Sequence, residues 1–218
     1  MSIYRLPADT ELRAELEIKR SRFITMIRRV STVDEARQLL ADARDEFPDA
    51  RHHCSAYVVS QPDAQPILNS SDDGEPSGTA GRPMLDILTG WELTDISAVV
   101  VRYFGGTLLG TGGLVRAYSD SVRHALSGER IVSPEQFAVQ RLRLPHANAG
   151  KIEADLRALD YAIQDAQYVA DGVLLDVAVA DPESFAEVLA ELSAGSVQAE
   201  PAGTIIHDRP AGRLPVFD

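Results

Sequence analysis

A single stretch, Ser70 to Tyr118, constrains this chain more than any other. It runs SSDDGEPSGTAGRPML and later WELTDISAVVVRYFGGTLLGTGGLVRAY. Two glycine-bearing loops flank one strongly apolar run, residues 96–101, whose β-branched side chains predict a buried strand. An acidic turn of Asp72, Asp73 and Glu75 precedes the first loop, and Arg102 and Arg116 frame the second. Glycine reaches positive φ without a clash and lets other backbones approach closely. Such loops on both sides of one buried strand predict a functional surface carried by a rigid scaffold.

The 218 residues have room for one large domain or two of about 100 each. With 44% hydrophobic and 25% charged residues, the chain can bury a core without a metal or disulfide staple. A formal net charge of −12 argues against indiscriminate binding to DNA. The acidity is uneven: residues 1–133 hold 15 Lys+Arg against 19 Asp+Glu, and residues 134–218 hold 6 against 14. Basic residues cluster early, at Lys19, Arg20, Arg22, Arg28, Arg29 and Arg51. A local basic face is therefore compatible with an acidic whole, although a solvated surface is the plainer reading. Cys54 is the only cysteine, which excludes an internal disulfide and fits a reducing compartment. The opening residues lack a charged-then-apolar leader, and the apolar run at 98–101 is far too short to span a bilayer. The expected location is cytoplasmic, with no membrane contact.

Periodicity orders the rest. Residues 15–19 and 22–30 predict two strands joined at Arg20-Ser21. Ser31-Thr32 caps a helix with an apolar stripe of Val33, Ala36, Leu39, Leu40 and Ala43. A strand over 54–60 and a turn at 61–63 lead to Ile67-Leu68 and the first loop, 69–81. Thr79 is the expected cap of a helix ending at Gly90, and a second helix runs from Leu114 to Leu126. Composition shifts near 131–134, where a domain boundary is expected. The remainder predicts strand, helix, strand, strand, helix, strand, the ferredoxin-like order βαββαβ. Residues 207–218 carry Pro210, Gly212 and Pro215 without periodicity and predict a loose tail. The class is α+β.

Arg51-His52-His53, SDDGEPSGTAGRPML and VVVRYFGGTLLGTGGLVRAY together resemble the signature of the YigZ/IMPACT family. The resemblance covers the first 130 residues in order, and the second half is similar in layout to the small C-terminal domain of bacterial members. It implies a fold like ribosomal protein S5 domain 2 for residues 1–132 and a ferredoxin-like domain for 133–206. That pairing is similar to the fourth and fifth domains of elongation factor G, which implies RNA or ribosome contact and a part in translation regulation. It implies no catalytic residue and no cofactor.

The residues themselves offer three chemistries. Gly105, Gly106, Gly110, Gly112 and Gly113 lead into a helix whose amides suit a phosphate, with Arg102 and Arg116 adding charge. The spacing fits neither the P-loop nor the dinucleotide fingerprint, which excludes a Walker mechanism. The alternative is tight strand–helix packing. Tyr103 and Phe104, with Arg51, His52 and His53, add rings and cations for RNA, whose binding is expected to be modest and salt-sensitive. Asp72, Asp73 and Glu75, with Gly78, Thr79 and Gly81, form a second candidate loop. It reads as a divalent-cation turn or as an Asx-turn, and the incomplete calcium-loop spacing favours the turn, so no metal is expected. Cys54 reads as a small buried hydrophobe pointing away from His53. The leading expectation is a noncatalytic protein contacting RNA or the ribosome. The alternatives are a hydrolase or metal-dependent enzyme using His52, His53 and the 72–75 turn, and a protein-docking regulator acting through the acidic C-terminal domain.

Overall fold

The computed structural model describes residues 4–61 and 64–217, so Pro62 and Asp63 of the expected turn lie outside the described residues. The chain divides into two compact units, residues 1–133 with 209–218, and residues 134–208. The observed class is α+β, with a first domain like ribosomal protein S5 domain 2 and a ferredoxin-like second.

In the first unit, five antiparallel strands lie in the order β1-β2-β5-β3-β4. They are β1 (Glu11–Ile18), β2 (Ser21–Arg29), β3 (His52–Gln61), β4 (Ala64–Ser71) and β5 (Ile96–Tyr103). Helix α1 (Val33–Glu46) packs Leu39 and Ala43 against Val99 and Val101. Helices α2 (Gly81–Gly90) and α3 (Thr111–Leu126) pack on the other face, against Ile96, Ala98 and Val100. With both faces covered, the central strand β5 has no polar side, which is why it reads as a continuous apolar run. Thr32 caps α1, its hydroxyl oxygen accepting from the Glu35 amide at 3.1 Å.

Two local expectations are corrected. The β1–β2 turn is Lys19-Arg20, one residue earlier than read, and both residues take positive φ, 48° and 65°. A two-residue hairpin of this twist favours Asn-Gly, so two cations here gave no turn signal. Thr79 does not cap α2; its hydroxyl donates to the Pro76 carbonyl at 2.6 Å, and the N-cap position is Ala80. The cap comes from Asp72, as described below.

The second unit's sheet has the order β7-β8-β6-β9, formed by β6 (Arg130–Leu144), β7 (Ala162–Val169), β8 (Gly172–Val179) and β9 (Ala199–Arg213). Helices α4 (His146–Ala158) and α5 (Pro182–Ser193) cover one face, with Leu142, Leu175, Val177 and Phe185 in the core. This is the split-βαβ arrangement. The expected loose tail is also corrected. Strand β9 runs to Arg213, Leu214 is buried, and its amide donates to the Glu129 carbonyl at 2.8 Å. The Gly128 amide in turn donates to the Pro215 carbonyl at 3.2 Å. One anchoring leucine has no periodicity, and backbone pairing to residues more than eighty positions away leaves no local sequence signal. Among the described residues no helix is long and apolar enough to cross a membrane.

Candidate functional site

The acidic turn is engaged internally at every carboxylate. Asp72, placed at the end of β4, accepts from the amides of Gly78 (2.7 Å), Ala80 (2.9 Å) and Gly81 (2.9 Å). It thereby satisfies the Gly81 amide, the first orphan donor of α2, and two amides just before the helix, a cap supplied from nine residues away. Burial pushes the Asp72 carboxyl up, but the three amides outweigh it and hold the group below its ordinary value. Asp73 accepts from the His53 amide at 2.7 Å and from Arg44 at 3.0 Å. Gly81 is required for closeness, because an added Cβ would lie 2.6 Å from the Ser71 amide nitrogen.

Glu75 is buried and carries the central contact. Its Oε1 accepts from Arg102 Nη1 at 2.6 Å and from the Tyr118 hydroxyl at 2.8 Å. Arg102 is only 6% exposed and lies between the rings of Phe23 and Phe104, 5.4 and 5.6 Å from their centroids. Its Nε is buried without a partner. An unsatisfied buried donor costs about 1–3 kcal/mol, so this atom weighs against the stability of the site. Cys54 Sγ lies 3.0 Å from the Asp72 carbonyl and 3.4 Å from the Tyr118 hydroxyl oxygen. Burial pushes its thiol up to about 12, which leaves it protonated and a poor nucleophile. Burial raises Tyr118 as well. Arg102 therefore locks the acidic turn to the sheet and is not a free phosphate ligand.

The two histidines part company by strand alternation. His52 pairs with Arg102 on the α2/α3 face, and its Nδ1 donates to the Asp73 carbonyl at 2.9 Å. His53 faces α1, where its Nε2 lies 3.0 Å from the Phe47 carbonyl. Tyr103 also faces α1, donating to Asp49 at 2.7 Å. Both histidines meet the turn at Asp73, His53 Nδ1 lying 3.8 Å from its Oδ2, but from opposite faces of the sheet.

The glycine loop is different. Gly105 is a packing residue: an added Cβ would lie 2.0 Å from the Arg20 carbonyl carbon. Gly106 and Gly110 take φ of 83° and 74°, whereas Gly112 faces open space. Gly110 is the N-cap of α3 and has no side chain to satisfy the first-turn amides. A cavity of about 360 Å³ opens here, lined by Arg51, His52, Glu75, Arg102, Phe104 and Gly110 among others. A second, of about 260 Å³, is lined by Lys19, Leu109, Gly113 and Arg116. Arg102 and Arg116, expected to frame one cradle, thus line separate cavities.

Around this loop the cations are unpaired. Lys19, Arg20, Arg51 and Arg116 have no carboxylate within 4.0 Å among the described residues, while Arg5, Arg22, Arg28, Arg44 and Arg123 are all ion-paired. Arg20 reaches only Thr107, at 3.2 Å. Lys19 and Arg20 belong to the basic cluster read from the sequence but not to its site residues. Two cations in a turn that disfavours them is the signal that points to them.

Comparison with known proteins follows the same division. The family model of the Impact N-terminal domain matches residues 19–126, and that of a domain of unknown function, DUF1949, matches residues 142–196. "IMPACT family member YigZ" of Escherichia coli (strain K12) is 46% identical over 184 residues, 84% of this chain and 90% of that protein. "IMPACT family member YvyE" of Bacillus subtilis (strain 168) is 39% identical over 183 residues, 83% of each chain. A solved structure, titled as that of a hypothetical protein, is 43% identical, covers 91% of this chain and 97% of that one, and has a TM-score of 0.61. With its motifs, both domains and most of its length matched in this way, the chain belongs to the IMPACT family.

Proposed function

We propose that this chain is a noncatalytic, cytoplasmic protein associated with translation, which contacts RNA or the ribosome through the rim of the 104–113 loop. The observation that supports this reading is the gathering of Lys19, Arg20, Arg51 and Arg116, none of them ion-paired, around one loop of a chain with net charge −12. Cations gathered without carboxylate partners repel one another and attract anions, so they offer phosphates a set of charge-assisted contacts. The amides of α3 and the half-exposed ring of Phe104 stand beside them. The surrounding acidity keeps the affinity modest and steeply dependent on salt.

Co-sedimentation with ribosomes and with free structured RNA, at low and moderate salt, tests the reading. Wild-type protein is expected to co-sediment in a salt-sensitive manner, and the folded triple variant Lys19→Ala, Arg51→Ala, Arg116→Ala to lose at least about tenfold in affinity. Equal binding by the variant would overturn it. Binding to neither ribosomes nor RNA would shift weight to a protein partner docking on the acidic second domain.

A further inference from the structure

The Arg102–Glu75 pair contributes lining to the 360 Å³ cavity but leaves part of its hydrogen-bonding capacity unused. Arg102 Nη1 and Glu75 Oε1 bond to each other, and Oε1 also accepts from Tyr118. Among the described residues Arg102 Nη2 and Glu75 Oε2 have no partner, and Nε, also without one, is fully buried. Nε is closed off from the cavity, whereas Nη2 and Oε2 belong to side chains that line it and are left for a ligand to pair. Arg51, His52 and Thr111 add polar lining, and the apolar wall is Phe104, 50% exposed, and Leu108, 83% exposed, with Leu109 and Leu114 beside them.

We infer that this cavity is a pocket for one unstacked nucleobase. Its volume lies near the small end of ligand cavities, which run to about 300–1,000 Å³. A half-exposed phenyl ring among leucines suits a flat aromatic ligand, since every base has a face to stack. A guanidinium donor beside a carboxylate acceptor matches a base edge, where a donor and an acceptor stand side by side. The exposed Arg51 and the uncapped start of α3 sit at the same cavity, placed for the phosphate attached to that base. A fatty chain would leave the Arg102–Glu75 groups unmatched, and an acidic peptide would bring a carboxylate against Glu75. The base comes either from a single strand of RNA or from a free nucleotide. Only the first source rests on the RNA reading above.

Fluorescence of 2-aminopurine, a base analogue quenched by stacking, reads the pocket directly in two arms. One uses a single-stranded RNA 12-mer carrying it, and the other the free 2-aminopurine nucleoside monophosphate. Wild-type protein is expected to quench the signal. Phe104→Leu is expected to abolish quenching and weaken binding about tenfold, with an unchanged melting temperature. Phe104→Trp should restore both. Quenching in the RNA arm supports a base of RNA as occupant. Quenching by the nucleotide alone supports the pocket while the RNA reading fails. RNA binding that depends on Lys19 and Arg116, yet shows no quenching and ignores Phe104→Leu, overturns the pocket and leaves the RNA reading standing. No binding in either arm overturns both.

Discussion

The turn at 72–75 and the loop at 104–113 look alike in sequence: glycine-bearing, carrying or bordered by charge, and shortly before or at a helix start. Their hydrogen-bond accounts are opposite. In the first, Asp72, Asp73 and Glu75 all point inward, to amides, to His53 and Arg44, and to Arg102 and Tyr118. In the second, the helix start is uncapped and the neighbouring cations are unpaired. The first loop spends most of its polar groups holding the fold, Glu75 Oε2 excepted, and the second leaves its own for something else. Charge and glycine mark where a chain does unusual things with its backbone, and only the partners of each polar atom show whether the purpose is internal.

This contrast can be broken most forcefully at Glu75. Its replacement by alanine strands a buried guanidinium, and the expected loss is about 3–5 kcal/mol by urea denaturation. A loss below about 1 kcal/mol would mean that the turn is not an internal lock. Within the second loop, Gly105→Ala is expected to cost about 1–3 kcal/mol, because its Cβ would meet the backbone of Arg20. Gly112→Ala, facing open space, should change stability by no more than about 0.5 kcal/mol or raise it slightly. Equal effects at the two glycines would remove the distinction between packing and free positions.

Asp72→Asn is expected to cost about 1 kcal/mol at neutral pH. The folded carboxyl lies below its ordinary value of 3.8, so its contribution is complete above that value and disappears as pH falls through the lower folded one. The gap between wild type and variant should therefore close in acid, below about pH 4, and a gap that stayed constant would place the effect on shape and not charge. Smallest in stability are Arg51→Ala and Arg116→Ala, each within about 0.5 kcal/mol by melting. Each should instead lower the slope of log affinity for single-stranded RNA against log salt by about 0.7. Stability losses at these two positions would place the cations with the internal groups of the first loop.

Much of this protein was legible before folding. The apolar run at 96–101 required a strand covered on both sides, the 3.6-residue stripe of Val33, Ala36 and Leu39 required α1, and the order of elements after 134 required a split-βαβ domain. These signals are local or periodic, so they survive in one dimension. What the tertiary structure alone decided is who meets whom. Thr79 looked like a cap until Asp72 arrived from the end of β4. Arg102 looked like a phosphate ligand until Glu75 and two rings enclosed it. Leu214 looked like part of a loose tail until its backbone met Glu129. In each case the deciding partner lies several to many residues away in the chain, and the free energy of a polar or charged group depends on that partner more than on its own identity.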